Sequence, residues 1–401
     1  MSPLLASIFI FLEYLRSWGF GVIWWGSGST IGPHWTIGNP AYFLSNTKLA
    51  LDTLSIWGIY GLDFVLALFI ISSFLFFHRN KKGVFLFEIL ISIVVFLLVG
   101  LIGSSSNEKS SSAKIPVALI QASNPTKNNS LPEELLSDFK KKLELLNEAA
   151  NKGKIVVFPE VSNFSKTLHE IASVDSVANY FNKISKENIT IIDSARSPGS
   201  KGFVSRSLFI SSKNGIIGFN DKKLLTPGGE YLPYLVKIPL LIFEPDTVKE
   251  FSHFNEFTKG SDFNNLIFKE TVSKVAICSD FFSPSLFQKD SYGFIIGQNS
   301  LGILEGNKLL ESQELSALKF RAAENQKYAV LASNFGHSYI VNSSGTIEKS
   351  TTSTGYQILT ANIVPNSNHT WYNRVGDLPI FLLSLAIFGI AIKNHTNAKQ
   401  D

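Results

Sequence analysis

Three stretches of this sequence set chemically capable side chains at the ends of apolar runs. "KIVVFPE" (154–160) ends in Glu160, where Pro159 stops the run and pushes the carboxylate to its rim. "KVAICSD" (274–280) carries Cys278 as the last residue of "VAIC". "FNDKKLLTPGGEYLP" (219–233) sets Lys222 and Lys223 before a Pro-Gly-Gly turn and Glu230 after it. Taken singly, each has a plain explanation. An unoxidised cysteine is usually core filling, a glutamate after a strand is usually solvated, and paired lysines usually mark a surface turn. The combination carries more. A thiol nucleophile needs a base to take its proton, and the oxyanion formed when it attacks a carbonyl needs a cation or an N–H donor nearby. Cysteine, glutamate and lysine on neighbouring strand ends supply all three. Cys278 is the only cysteine in 401 residues, so it has no disulfide partner and no Cys-rich zinc site can be built. The seven histidines show no ligand spacing, and neither a metal nor another cofactor is expected.

The elements that must position these groups alternate between strand and helix patterns. "IPVALIQAS" (115–123) reads as a buried strand, and Ser130 with Glu133 forms a capping box opening a helix to about Asn151. After "KIVVFPE" come an amphipathic stretch near 175–187, "ITIIDSA" (189–195), and "SRSLFIS" with its apolar part at 206–211. The "KVAICSD" strand, "YGFIIGQ" (292–298), a helix near 312–327, and strands at "YAVLAS" and "SYIVNSSGTI" follow. Alternating strands and helices in one half, and hairpin-like pairs in the other, predict one layered α/β domain over residues 115–374.

The ends of the chain have another character. Hydrophobic residues make up 45% of the sequence, with 33 Phe, which is apolar for a soluble protein and places part of the chain in lipid. Three apolar stretches, Pro3 to Trp25, Leu54 to Phe77 and Val84 to Ile102, fill residues 1–103, each near the ~20 residues that cross ~30 Å of hydrocarbon. A Ser-rich polar linker (104–114) leads to the domain. A fourth stretch, Leu378 to Ile392, makes a C-terminal span over 375–393, before a tail at 394–401. "HRNKKG", with Arg79, Lys81 and Lys82, lies between the second and third stretches, and Lys393 and Lys399 follow the fourth. Positive charge beside short loops marks the cytoplasmic side, so both termini are expected inside and the α/β domain outside. The first stretch lacks a basic start and a small-residue cleavage site, and reads as a span rather than a signal peptide. Glu13 and Arg16, three apart within it, share a helix face and can neutralise each other. With 36 basic and 32 acidic residues and no dense basic block, nucleic acid is not an expected partner.

The order of motifs resembles the nitrilase, or carbon-nitrogen hydrolase, superfamily: a Glu ending an apolar strand, "K-x-x-L-x-P-x-G-E" at 222–230, and a strand ending in Cys with an acid two residues on. "RAAENQKYAVLASNFGHSYIVNSSGTI" (321–347) is similar to that superfamily's "RA-x-EN" helix and the strands after it. "HTWYNRVGDLPIFLL" (369–383), "EYLRSWGF" (13–20) and "WGIYGLDFVLALF" (57–69) resemble its membrane-embedded apolipoprotein N-acyltransferase branch. The resemblance implies an α-β-β-α sandwich inserted between transmembrane helices, in a bacterial cytoplasmic membrane. It implies Cys278 as nucleophile, Glu160 as general base, Lys222 as the triad lysine with Lys223 the near alternative, and Glu230 in support. It implies transfer of an acyl chain from a membrane phospholipid, through a thioester, to the α-amino group of a diacylglyceryl lipoprotein. The family usually has about twice as many spans, so the chain is expected to begin midway through the membrane part. Ser279 stands where the family has Tyr, Asp280 where this branch has Glu, and Gly228 where it has an aromatic. These three positions are expected to meet substrate. A membrane-tethered amidase and a non-catalytic protein of the same fold remain alternatives.

Overall fold

In the computed structural model the described residues are 1–78, 82–105, 113–123, 132–171, 180, 183, 188–199, 202–260, 265–268, 270–302 and 306–397. Ser130 of the capping box, Arg79 and Lys81 of the basic turn, Lys399, most of the Ser-rich linker and most of the stretch near 175–187 lie outside them.

Among the described residues four helices are long and apolar enough to cross a membrane: α1 (Ser2–Ile23), α2 (Lys48–His78), α3 (Lys82–Ser105) and, at the other end of the chain, α10 (Leu378–Asn397). The last is longer than its apolar stretch because the helix continues through Lys393 to Asn397. One end of the group faces the α/β domain: the Tyr231 hydroxyl donates to the Trp24 carbonyl just past α1, and Lys319 Nζ donates to Asn46 Oδ1 just before α2. At the opposite end the terminal ammonium of Met1 lies 3.9 Å from Glu88 of α3. The expected pair within α1 forms, with Arg16 Nε 3.0 Å from Glu13 Oε2, and a second Arg16 nitrogen donates to the Ile37 carbonyl of the following loop.

Between the spans the described residues form twelve strands in two sheets. The first contains β1 (Ile115–Gln121), β2 (Ile155–Val157), β3 (Thr190–Gly199), β4 (Gly202–Ser211), β5 (Gly215–Asp221) and β12 (Gln357–Ile363). The second contains β6 (Leu266–Phe268), β7 (Thr271–Ile277), β8 (Phe294–Ser300), β9 (Tyr328–Asn334), β10 (Tyr339–Val341) and β11 (Ile347–Ser350). Among the described residues the strand orders are β12-β1-β2-β3-β4-β5 and β11-β10-β9-β8-β7-β6, with the β1–β2–β3 and β7–β8–β9 centres parallel. Parallel strands covered on both faces need apolar side chains on both, which is why "IPVALIQ" shows no alternation. Val117 and Leu119 face the second sheet, packing in one cluster with Val275, Ile296 and Val330. Ala118 and Ile120 face outward onto α4 (Pro132–Ala149) and α5 (Phe164–Ile171), through Phe139, Leu146 and Phe164.

The outer face of the second sheet is covered by α8 (Lys308–Asn325), and α8 is covered in turn by the membrane helices. Ala276, Ile295 and Leu331 of the sheet, Leu318 and Phe320 of α8, and Ile10, Leu54 and Tyr60 of the spans belong to one hydrophobic cluster. Burial from both sides explains why every residue from Ser316 to Asn325 is buried, Arg321 and Glu324 included. These two pair at 2.8 Å with both side chains fully enclosed. The span that packs on α8, α2, is broken at Gly58, where φ is +61°. Tyr372, from the short α9 (Trp371–Val375), fills the space beside the break.

A Cβ at Gly58 would lie 2.0 Å from the Tyr372 ring, on a backbone that L-residues rarely adopt. Gly58→Ala is therefore expected to cost about 2 kcal/mol or more. Thermal unfolding of the purified protein in detergent checks this; an unchanged midpoint would contradict the packing of α9 against the break.

Candidate active site

Glu160 is delivered by a strand that ends abruptly. Phe158 N still pairs with the Ile192 carbonyl at 2.8 Å, Pro159 has no N–H to continue the ladder, and Val161 then takes φ +57°. Left-handed backbone is unusual for a β-branched residue and stores strain. Lys222 directly follows β5 and is anchored through its backbone, N to the Ser205 carbonyl at 2.9 Å and O to Gly260 N at 2.7 Å. Cys278 directly follows β7, opens a 3₁₀ turn to Phe282, and has φ +48°, a second strained non-glycine residue. Two buried amides tie the sheets together at this end. Asn220 Nδ2 of β5 donates to the Val275 carbonyl of β7 at 3.0 Å, and Gln298 Nε2 of β8 donates to the Phe158 carbonyl at 2.6 Å.

The three side chains meet. Lys222 Nζ lies 3.2 Å from Glu160 Oε1 and 3.0 Å from the Glu230 carboxylate, with Lys222 2% and Glu160 5% exposed. The Cys278 thiol lies beside Glu160, close enough for the two groups to act on each other's charge, and is the least enclosed of the three. Glu230 is fixed from its other oxygen by Thr226 N at 2.8 Å, across the Pro-Gly-Gly turn that Gly228 makes with φ +78°. Lys222, rather than Lys223, reaches the carboxylates; Lys223 contributes backbone, its carbonyl accepting from Thr30 Oγ1 at 3.3 Å.

Asp280 and Ser279 are both buried. Asp280 accepts three backbone N–H groups, Ile277 at 3.0 Å, Lys223 at 3.1 Å and Leu224 at 2.8 Å, which binds the lysine segment to the cysteine turn. The Ser279 hydroxyl donates to the Leu224 carbonyl across the same seam. Their contacts make these two residues braces between the lysine segment and the cysteine turn. Gly228 is exposed, with nothing within 4 Å of the place a Cβ would take, so of the three residues expected to meet substrate it alone has open space around it.

One carboxylate here has no counterpart in the sequence reading. Glu314, midway along α8, accepts from Cys278 Sγ at 3.6 Å and from Asn299 Nδ2 at 2.6 Å. Its only sequence signal was an acid within a helix, which ordinarily reads as a solvated surface.

Burial pushes the Cys278 thiol well above its ordinary range; Glu160 adds to the shift and Lys222 opposes it. Burial likewise raises Glu160, against the pull of Lys222. For Lys222, burial alone would lower the pKa, but the charges of Cys278, Glu160 and Glu230 outweigh it and hold the ammonium well above its usual value. The resting site therefore holds a protonated thiol beside a carboxylate with heightened affinity for a proton and a permanent ammonium. Such a site can pass the thiol proton to Glu160 as sulfur attacks an acyl carbon, with Lys222 placed to stabilise the negative charge that develops.

The loop between α1 and α2 packs against this arrangement. His34 Nδ1 lies 2.8 Å from Ser283 Oγ, and both Thr36 N and Thr36 Oγ1 donate to the Phe282 carbonyl, so the turn that begins at Cys278 is held from the membrane side.

Residues 116–373 match the carbon-nitrogen hydrolase family. The chain is 27% identical over 322 residues to an apolipoprotein N-acyltransferase of Prochlorococcus marinus subsp. pastoris, covering 77% of this chain and 58% of that protein. The chain thus spans less than two thirds of that relative's length. Solved structures with a similar fold include Nit3 of Saccharomyces cerevisiae, a nitrilase-superfamily member (18% identity, TM-score 0.45, 64% of this chain and 92% of that one). Another is a carbon-nitrogen hydrolase from Helicobacter pylori (13% identity, TM-score 0.45, 63% and 89%). With two stacked sheets, helices on both outer faces, and a family match across nearly the whole region between the spans, this chain belongs to the carbon-nitrogen hydrolase family.

Proposed function

We propose that the chain is an N-acyltransferase of a bacterial cytoplasmic membrane, acting from the extracytoplasmic face, with Cys278 as nucleophile, Glu160 as base and Lys222 as oxyanion stabiliser. The observation that carries the reading is the Cys278–Glu160–Lys222 cluster in a domain packed through α8 onto four apolar helices. Similarity to the Prochlorococcus enzyme and the charge-derived topology support it.

In the first half-reaction Cys278 Sγ attacks the ester carbonyl of a phospholipid while its proton passes to Glu160. Collapse of the tetrahedral intermediate breaks the C–O bond, and the departing lysophospholipid oxygen takes that proton, leaving an acyl thioester. In the second, the α-amino group of a diacylglyceryl lipoprotein attacks the thioester, an amide forms and the thiol is released. Lys222 stays charged throughout, held by Glu160 and Glu230, and faces each tetrahedral oxyanion in turn. Both substrates reside in the bilayer, which gives the spans a task beyond anchoring the domain.

Mass spectrometry of lipoprotein N-termini in a cell dependent on this gene tests the reading. Cys278→Ala and Glu160→Gln are each expected to leave the α-amino group free, and normal N-acylation in either would sink the assignment. Asp280→Ala removes an acceptor from three amides without touching the triad. It is expected to lower both stability, by about 2–4 kcal/mol, and the rate of transfer. Lys222→Met leaves Glu160 and Glu230 without their cation. The proton affinity of buried Glu160, already raised in the folded state, then rises further above the unfolded value, so the stability deficit is expected to grow as pH rises above the ordinary carboxylate range. A deficit independent of pH between 5 and 8, read by thermal unfolding in detergent, would contradict the ion-pair account.

A further inference from the structure

The triad uses Glu160 as its base, yet the carboxylate that accepts the thiol's hydrogen bond is another. Glu160 stands beside the thiol at the end of β2, and Glu314 approaches from α8, with its Oε1 3.6 Å from Cys278 Sγ. Glu314 is 5% exposed and firmly placed. Its Oε2 accepts from Asn299 Nδ2 at 2.6 Å, and Asn299 Oδ1 accepts in turn from the Ser333 hydroxyl, so α8, β8 and β9 together fix the carboxyl. Among the described residues the enclosure sets three carboxyls, Glu160, Glu230 and Glu314, around the Lys222 ammonium, with Asp280 held by its three amide N–H groups and the Tyr339 phenol facing Glu314, and the ion pairs run from Lys222 to Glu160 and Glu230. In a medium of low dielectric one cation does not stabilise three anions, so one carboxyl keeps a proton more readily than the others. Burial raises Glu314 to about 7, with Asn299 pulling it down and Glu160 pushing it up. Two carboxyls on one reacting atom, held in different environments, are suited to different proton transfers.

We infer that Glu314 is the proton carrier of the second half-reaction, taking a proton from the attacking amine and delivering it to Cys278 sulfur as the thioester breaks. The inference rests on the N-acyltransferase reading above. The steps balance. The neutral amine adds to the thioester carbonyl, giving a tetrahedral centre with a positively charged nitrogen. The Glu314 carboxylate accepts one N–H proton. The C–S bond breaks with its electron pair going to sulfur, and the same proton passes from Glu314 to Sγ across the existing contact, restoring thiol and carboxylate. Glu160, paired with Lys222, serves the first half-reaction, in which the thiol proton ends on the departing alcohol. A group that must be a carboxylate to start this sequence makes aminolysis rise with pH through its own titration.

The test separates the half-reactions in the full chain in detergent. Phospholipid alone loads Cys278; a synthetic diacylglyceryl lipopeptide with a free amine is then added, and thioester decay is followed in single turnover from pH 5.5 to 9. Glu314→Gln is expected to load within about threefold of the native rate but to decay about 100-fold more slowly, without the native rise near pH 7. Asn299→Ala keeps the glutamate and removes the hydrogen bond that lowers its pKa, so the rise is expected to shift to higher pH. This second variant decides the matter if Glu314→Gln does not fold. Unchanged decay in Glu314→Gln, a parallel loss of loading and decay, or an unshifted profile in Asn299→Ala overturns the assignment. A native protein that never loads overturns the N-acyltransferase reading itself, and is recognised before any variant is made.

Discussion

One buried ammonium holds two carboxylates, the buried Glu160 and the half-buried Glu230, and the geometry of the site follows from that requirement. Lys222 is almost fully enclosed, and a charge so placed persists only if its partners are close and its own position is fixed. Glu160 and Glu230 are within 3.2 Å and 3.0 Å, and each is held in place by its own segment. Glu160 sits on a strand end that Pro159 terminates, and Glu230 is secured by Thr226 N across a glycine turn. Lys222 is fixed less by its side chain than by its neighbours, because Asp280 grips the next two backbone amides and also the amide preceding the cysteine. Carboxylate, ammonium and thiol thus come from loops far apart in the chain but joined by hydrogen bonds that leave little freedom. The strained backbone at Val161 and Cys278 is affordable in that setting, since the contacts around each residue over-determine its conformation.

The same logic extends to the membrane. The helix bearing Glu314 also bears Arg321 and Glu324, so α8 touches the thiol near its middle and carries a fully enclosed ion pair two turns on, where it packs against α2. The α1–α2 loop closes the other side through His34 and Thr36, which hold the turn that Cys278 opens. The loops bearing Glu160, Lys222 and Cys278 are therefore not carried on a flexible stem. They are packed against the helices that are apolar enough to cross a membrane and the loop between the first two, an arrangement suited to a site whose proposed substrates both arrive from the membrane.

How much of this could be read beforehand depends on whether a residue's role was local. Glu160, Lys222 and Cys278 stand where apolar runs end, a position that exposes them in the sequence as well as in the fold. The four spans were equally plain from length and hydropathy, although Gly58, an ordinary residue in an apolar run, gave no sign that it breaks α2 against Tyr372. Three strands were not anticipated. The β5 segment carries two glycines, β6 is three residues long, and β12 is an edge strand whose polar residues mask its pairing with β1 along its full length. The helix Tyr234–Phe243 was hidden by its internal Pro239. Glu314 was invisible for a deeper reason. Its burial comes from β7 and β8 on one side and the spans on the other, and nothing within "LESQELSALKF" reports either. Asp280 was noticed as an acid near the cysteine, but its grip on three amides of two segments is tertiary information.

The central claim is that Cys278 carries the acyl group between two lipids, and intact-mass analysis of the purified protein after incubation with phospholipid alone tests it most directly. The account predicts a gain of one fatty acyl chain, mapped to Cys278, released by hydroxylamine and absent from Cys278→Ala. No adduct on native protein, or an adduct that persists in Cys278→Ala, would contradict it.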